Sequence, residues 1–165
     1  MGSGYFFAAH DGETLIVRTK SGTDGSIPSG NGVAALTLLR LHDLTGEERY
    51  RERAEDILRL YHRAAIQNPF GYMTLLEALE RWSEGSTEVV VIGDPGPDTE
   101  ALWRVAASRW IRHRTLVRVR PGSSEPPAVA RERPQVDGRA TAYVCRNFAC
   151  SRPVHTADEL AEILA

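Results

Sequence analysis

One change of rhythm constrains this chain more than any other feature. Up to Ser83 the apolar residues recur at helical spacing, whereas past Gly85 the run Glu88-Val89-Val90-Val91-Ile92 is continuous and largely β-branched. The first pattern suits helices that bury one face, and the second suits a strand covered on both faces of a parallel sheet. The expected fold class is therefore α+β, with a helical part over 1–85 and a small parallel α/β segment of about three strands over 86–165.

Before the helices, Tyr5-Phe6-Phe7-Ala8-Ala9 and Thr14-Leu15-Ile16-Val17-Arg18 flank an Asp11-Gly12 turn, which predicts a β-hairpin. From Val33 to Leu44 only Thr37, Arg40, His42 and Asp43 interrupt the apolar residues, so this helix is expected to pack on several sides. Thr45-Gly46 ends it. Over 47–65, Tyr50, Ala54, Ile57, Leu58 and Tyr61 define an amphipathic outer helix. Asn68-Pro69 reads as an N-cap followed by proline in the first helical position. The third helix runs to Ser83 with Phe70, Met73, Leu76, Leu79 and Trp82 on one face, and Gly85 stops it. Inner, outer, inner is the rhythm of stacked helical hairpins, and three such helices are a fragment of that architecture.

After the first strand, Asp98 or Thr99 is placed to cap a helix through Leu102, Val105 and Ala106, and Thr115-Leu116-Val117-Arg118-Val119 gives a second strand. This is a βαβ unit. Residues 120–139 are proline- and charge-rich and read as an exposed connection to a third strand at Thr141-Ala142-Tyr143-Val144-Cys145. Thr156 with Glu159 forms a capping box ahead of Leu160, Ile163 and Leu164.

Chemically suggestive residues cluster in Asp24-Gly25-Ser26-Ile27-Pro28-Ser29-Gly30-Asn31-Gly32, a glycine-punctuated loop leading into the first helix. Asp24, Ser29 and Asn31 are candidate ligand-binding residues. Asp24 is also a candidate general acid or base, or a partner for sugar hydroxyls. The competing reading is local: Asp24 makes an Asx-turn, and Ser29 or Asn31 caps the helix. Glycosidase chemistry also wants a second carboxylate, and no motif supplies one.

Cys145 and Cys150 are the only cysteines. With His155 they offer three donors, but structural zinc sites prefer closer cysteines and a fourth ligand, so no metal is expected. A redox pair is a second reading, and two reduced, partly buried thiols are the expected state. Gly93-Asp94-Pro95-Gly96-Pro97-Asp98 sits where a phosphate loop belongs, but its prolines remove amide donors and its aspartates repel anions; a tight connection is the better account. No cofactor is expected.

The 165 residues are 42% hydrophobic, enough for a real core, and 20 basic against 22 acidic side chains leave a net charge of -2. Nothing in that balance calls for a nucleic-acid or membrane partner. No apolar run approaches the roughly 20 residues of a membrane span, and the N-terminus lacks the features of a secretory signal, so a cytoplasmic location is the default expectation.

The loop Asp24 to Asn31 with its Ala/Leu-rich helix, then Val89 to Gly93, then Tyr143-Val144-Cys145-Arg146-Asn147-Phe148-Ala149-Cys150-Ser151-Arg152-Pro153 together carry a resemblance. In order and spacing, from about Gly4 onward, the chain resembles the C-terminal end of the spermatogenesis-associated, thioredoxin-domain-containing protein family. That resemblance implies an N-terminal thioredoxin-like domain, an (α/α)6 toroid similar to six-hairpin glycosidases and N-acylglucosamine epimerases, and a small α/β segment. This chain has no Cys-x-x-Cys and about three barrel helices, so it reads as a helical-hairpin fragment of the toroid plus the α/β segment. None of its histidines falls in an epimerase-like motif.

The function expected on these grounds is that of a C-terminal piece of such a protein, non-catalytic alone. It would contribute to a carbohydrate-like small-molecule pocket or to assembly, as a homo-oligomer or paired with the missing family domains. Two alternatives stand beside it: a carbohydrate-active hydrolase or isomerase using Asp24, and an α/β adaptor that binds protein around Cys145 to Arg152.

Overall fold

A computed structural model describes residues 3–13, 15–146 and 149–165. Among these residues it contains five α-helices and a four-stranded mixed sheet. The α-helices are α1 (Gly30–Thr45), α2 (Glu48–Gln67), α3 (Met73–Glu84), α4 (Pro97–Ser108) and α5 (Ala157–Ile163). The strands are β1 (Thr87–Ile92), β2 (Arg114–Val119), β3 (Thr141–Arg146) and β4 (Ala149–Cys150). The chain divides into two compact units. The first takes residues up to His42 with Glu47–Glu84, and the second takes Asp43–Gly46 with Gly85–Ala165.

The first unit is α1, α2, a short 3-10 turn at Pro69–Tyr72, and α3. Gly46 and Gly85, immediately after α1 and α3, take φ of +70° and +79°, the left-handed conformation that glycine adopts without penalty at a helix end. The core is Ala35 and Leu39 of α1, Ala54, Ile57, Leu58, Tyr61 and Ala65 of α2, and Leu75 and Ala78 of α3. Helix α2 buries the stripe its sequence predicts. Helix α1 buries Asn31, Gly32, Ala35 and Leu39 and packs Ala34, Leu36 and Leu38 partly against the same core, while Val33 is 45% exposed. The buried line of α3 is Leu75, Ala78 and Arg81, one position off the expected stripe, so Phe70, Met73 and Leu79 remain exposed.

The expected N-terminal hairpin does not form. Among the described residues of that stretch there is no strand, and Phe7 N–H donating to Thr19 O at 2.9 Å is the cross-segment backbone bond; Thr14 lies outside the described residues. Tyr5 is held instead by the side chain of Asn31, and its neighbours Phe7 and Ile16 are exposed.

The second unit is built on the sheet in the order β2-β1-β3-β4. β1 and β2 run parallel, with Val89 beside Leu116, as the βαβ pattern requires. β3 corrects the expectation of a parallel sheet: it runs antiparallel to β1, pairing Tyr143 with Val90, and turns back into β4. One face carries Val89, Val91, Ala142 and Val144 against Leu102 and Ala106 of α4 and Leu160 of α5. The other carries Val90, Ile92, Val117 and Tyr143 against Val129 and Ala130. Both faces are thus covered, which is why β1 is a continuous apolar run.

Residues 120–139 are therefore not simply an exposed connection. Val129 and Ala130, in a 3-10 turn (Ala128–Ala130), are each 5% exposed. Tyr143 Oη donates to Pro134 O at 2.7 Å. Thr141 Oγ1 accepts from Val136 N–H at 3.1 Å and donates to Arg139 O at 2.9 Å. Helix α4 begins at Pro97 after Gly96, and Thr99, rather than capping it, donates to Asp94 O at 2.7 Å, closing the β1–α4 connection. The capping box of α5 forms as its sequence specifies, Thr156 accepting from Glu159 N–H and Glu159 accepting from Thr156 N–H.

Candidate functional site

The glycine-punctuated loop is where the N-termini of α1 and α3 and the N-terminal segment meet. Ser29 is the N-cap of α1, its Oγ accepting from Gly32 N–H at 3.1 Å. Asp24 Oδ1 accepts from Ser29 N–H and Oδ2 from Thr74 N–H, both at 2.8 Å. Thr74 lies in the first turn of α3, so one carboxylate secures two helix N-termini, where negative charge is favoured. Asn68, the expected N-cap, makes no side-chain capping bond. Burial acts to raise the pKa of Asp24, but the hydrogen bonds from Thr74 and Ser29 outweigh it and hold the carboxyl below its usual range.

Asn31 is 3% exposed and Ser29 6%. Asn31 Oδ1 accepts from Tyr5 N–H at 2.7 Å, and Nδ2 donates to Tyr5 O at 3.0 Å and Ser21 O at 2.8 Å. Every polar group of its carboxamide is thus engaged with the chain's own backbone. The structure brings Asp24, Ser29 and Asn31 together as the sequence suggested, and what that arrangement does is anchor α1, α3 and the N-terminal segment to one another. The loop's open surface belongs to Gly25, Ser26, Ile27 and Pro28.

A second feature of this unit lies between α2 and α3. An apolar groove of about 460 Å³ runs between them, floored by Leu58, Ala65 and Leu75 and walled by Ile66, Leu76, Leu79 and Trp82. Glu55, Arg59 and His62 stand along its α2 side. Of the stripe picked out by helical spacing, Leu76, Leu79 and Trp82 line this groove, whereas Phe70 and Met73 are exposed outside it.

In the second unit Cys145 and Cys150 are joined in a disulfide, which corrects the expectation of reduced thiols. The physical reason is the β3–β4 hairpin, which sets the two residues directly opposite each other with Cα atoms 3.9 Å apart. Residues 147 and 148 of the motif lie outside the described residues. His155 does not join the sulfurs; its Nδ1 lies 3.1 Å from Ala140 O. Arg133, within the stretch read as a connection, lies against both sulfurs, and nothing in its sequence context marked it. Among the described residues no helix is long and apolar enough to cross a membrane.

No family model matches the chain. It is 32% identical to spermatogenesis-associated protein 20 of Rattus norvegicus and 31% identical to that of Homo sapiens, in each case over 99% of its own length. An uncharacterized protein of Caenorhabditis elegans is 29% identical over 98% of the chain. The chain covers 22%, 21% and 22% of the nematode, rat and human proteins, so it spans only a small part of the length of the curated relatives it matches. Similarity of this extent, aligned over 99% of the chain, places it beside one segment of spermatogenesis-associated protein 20.

Proposed function

We propose that this chain serves as one segment of a larger family architecture, without chemistry of its own, and that the α2–α3 groove is the seam through which its helical unit joins the rest. The observation that carries this reading is the open apolar groove. A groove between two helices, apolar along its floor and charged along one side, is complementary to an amphipathic helix. That the relatives are several times longer supplies the source of such a helix: a further helical hairpin of the same architecture.

On this reading Asp24, Ser29 and Asn31 hold α1 and α3 in the geometry that shapes the seam, and a carbohydrate-like ligand would be bound by the completed assembly. The engagement of both Asp24 oxygens by backbone amides favours this role over that of a general acid.

In the isolated chain a second copy would cover the seam. Sedimentation equilibrium should show weight-average mass rising with concentration, and Leu79→Arg, at a half-exposed position of the groove, should abolish that rise while leaving the circular-dichroism melt intact. A wild-type chain that stays monomeric at every concentration would overturn the proposal.

A further inference from the structure

The disulfide of the β3–β4 hairpin is asymmetric in its surroundings. Cys145 is 2% exposed, whereas Cys150 is open to solvent. Over the pair lies the guanidinium of Arg133, with Nε 3.2 Å and Nη2 3.1 Å from Cys145 Sγ, and Nη2 3.5 Å from Cys150 Sγ. The same Nη2 is 3.1 Å from Glu88 Oε2, and the Arg133 and Glu88 side chains are 17% and 25% exposed.

A disulfide sulfur is a weak acceptor and gains little from a guanidinium. A thiolate in the same place would receive two charge-assisted hydrogen bonds, so the cation is placed to favour the reduced form of Cys145. Glu88 fixes the guanidinium over the sulfurs.

We infer that Cys145–Cys150 is a reversible thiol–disulfide exchange site whose substrate is a dithiol, with Cys150 the attacked sulfur and Arg133 stabilising Cys145 as the leaving thiolate. A thiolate of the dithiol attacks Cys150 Sγ, the Cys145–Cys150 bond breaks, and its electron pair passes to Cys145 Sγ. The product is a mixed disulfide on Cys150. The second thiolate of the dithiol then displaces Cys150, which leaves as a thiolate and takes a proton from water. The dithiol is oxidised by two electrons to its disulfide, and the protein pair is reduced to a Cys150 thiol and a Cys145 thiolate held by Arg133. In-line attack requires access, and only Cys150 gives it.

The test is reduction of the folded protein, with thiols trapped by alkylation and located by mass spectrometry. Dithiothreitol should reduce the pair reversibly under native conditions, and the monothiol glutathione should leave a mixed disulfide on Cys150. Arg133→Met should slow reduction about tenfold, through loss of the charge-assisted bonds to the leaving thiolate. If Arg133→Met does not fold, Arg133→Lys, which keeps the charge but not the fork, should slow it a few-fold. Reduction only in denaturant, a mixed disulfide on Cys145, or an undiminished rate in the folded Arg133 variant would each overturn the assignment.

Discussion

The carboxylate of Asp24 accepts the backbone N–H of Thr74 at 2.8 Å across 50 positions of sequence. Its other oxygen accepts from Ser29 N–H, so α1 and α3 are fastened through one side chain. Asp24→Ala leaves both amides without their partner and should destabilise the first unit by about 2 kcal/mol. Asp24→Asn keeps one acceptor oxygen and should lose roughly half as much. Urea unfolding followed by helical circular dichroism measures both, and an unaltered midpoint in Asp24→Ala would show that the clamp contributes nothing.

The same carboxylate makes stability depend on pH. Its folded pKa is lowered, because the amides of Thr74 and Ser29 outweigh the opposing effect of burial. The stabilisation is therefore present above the unfolded value of about 4 and is lost as pH falls through the folded value. Unfolding free energy should drop across that acid window in the wild type and drop less steeply in Asp24→Asn. Equal slopes would assign the acid sensitivity to other carboxylates.

Gly32 of α1 sits close against Thr74 of α3. Replacing glycine by alanine inside a helix ordinarily stabilises it by about 1 kcal/mol. Here an added Cβ would stand 2.8 Å from Ser29 Oγ and 2.9 Å from Thr74 Cβ, displacing the cap and the neighbouring helix together. Gly32→Ala should therefore lower stability, by about 1 to 3 kcal/mol. Gly30→Ala, where a Cβ would meet nothing within 4 Å, is the control and should be neutral or stabilising in the same thermal melt.

In the second unit Thr141 is fully buried, at 0% exposure. Thr141→Val preserves shape but leaves Val136 N–H and Arg139 O without the hydroxyl they share, at a cost of about 2 kcal/mol. Hydrogen exchange should localise the loss, with the Val136 amide losing protection before those of β1. A Val136 amide as protected as in the wild type would contradict that account.

Local signals told most where a segment's partners lie close in sequence. The α5 box at Thr156 and Glu159, the stripe of α2 and the β-branched runs of β1 and β2 all formed, because helical spacing, caps and strand burial are decided within a few residues. The direction of β3 was hidden, because a run buried on both faces reads the same whichever way it points. The cysteines were misjudged because their spacing does not reveal that a hairpin sets them face to face. The α3 stripe was seen, but spacing cannot say which of two apolar lines the unit itself covers. For the loop, the cluster of Asp24, Ser29 and Asn31 was visible, while Thr74 and Tyr5, the groups that use it, lie 50 and 26 positions away.

The outer position of β2 bears on how the molecule avoids aggregation. An edge strand presents unpaired amides and carbonyls that invite a strand from another chain. β2 carries Arg114 and Arg118, and both are drawn to α4: Arg114 Nη1 donates to the carbonyls of Ala106, Ala107 and Arg109 at 2.9 to 3.0 Å, and Arg118 pairs with Glu100 at 2.7 Å. A strand adding there would meet two arginines fixed by their own helix, while the opposite edge, β4, is only two residues long. The sheet thus closes its own margins against fibril-like growth with side chains that also finish its helix.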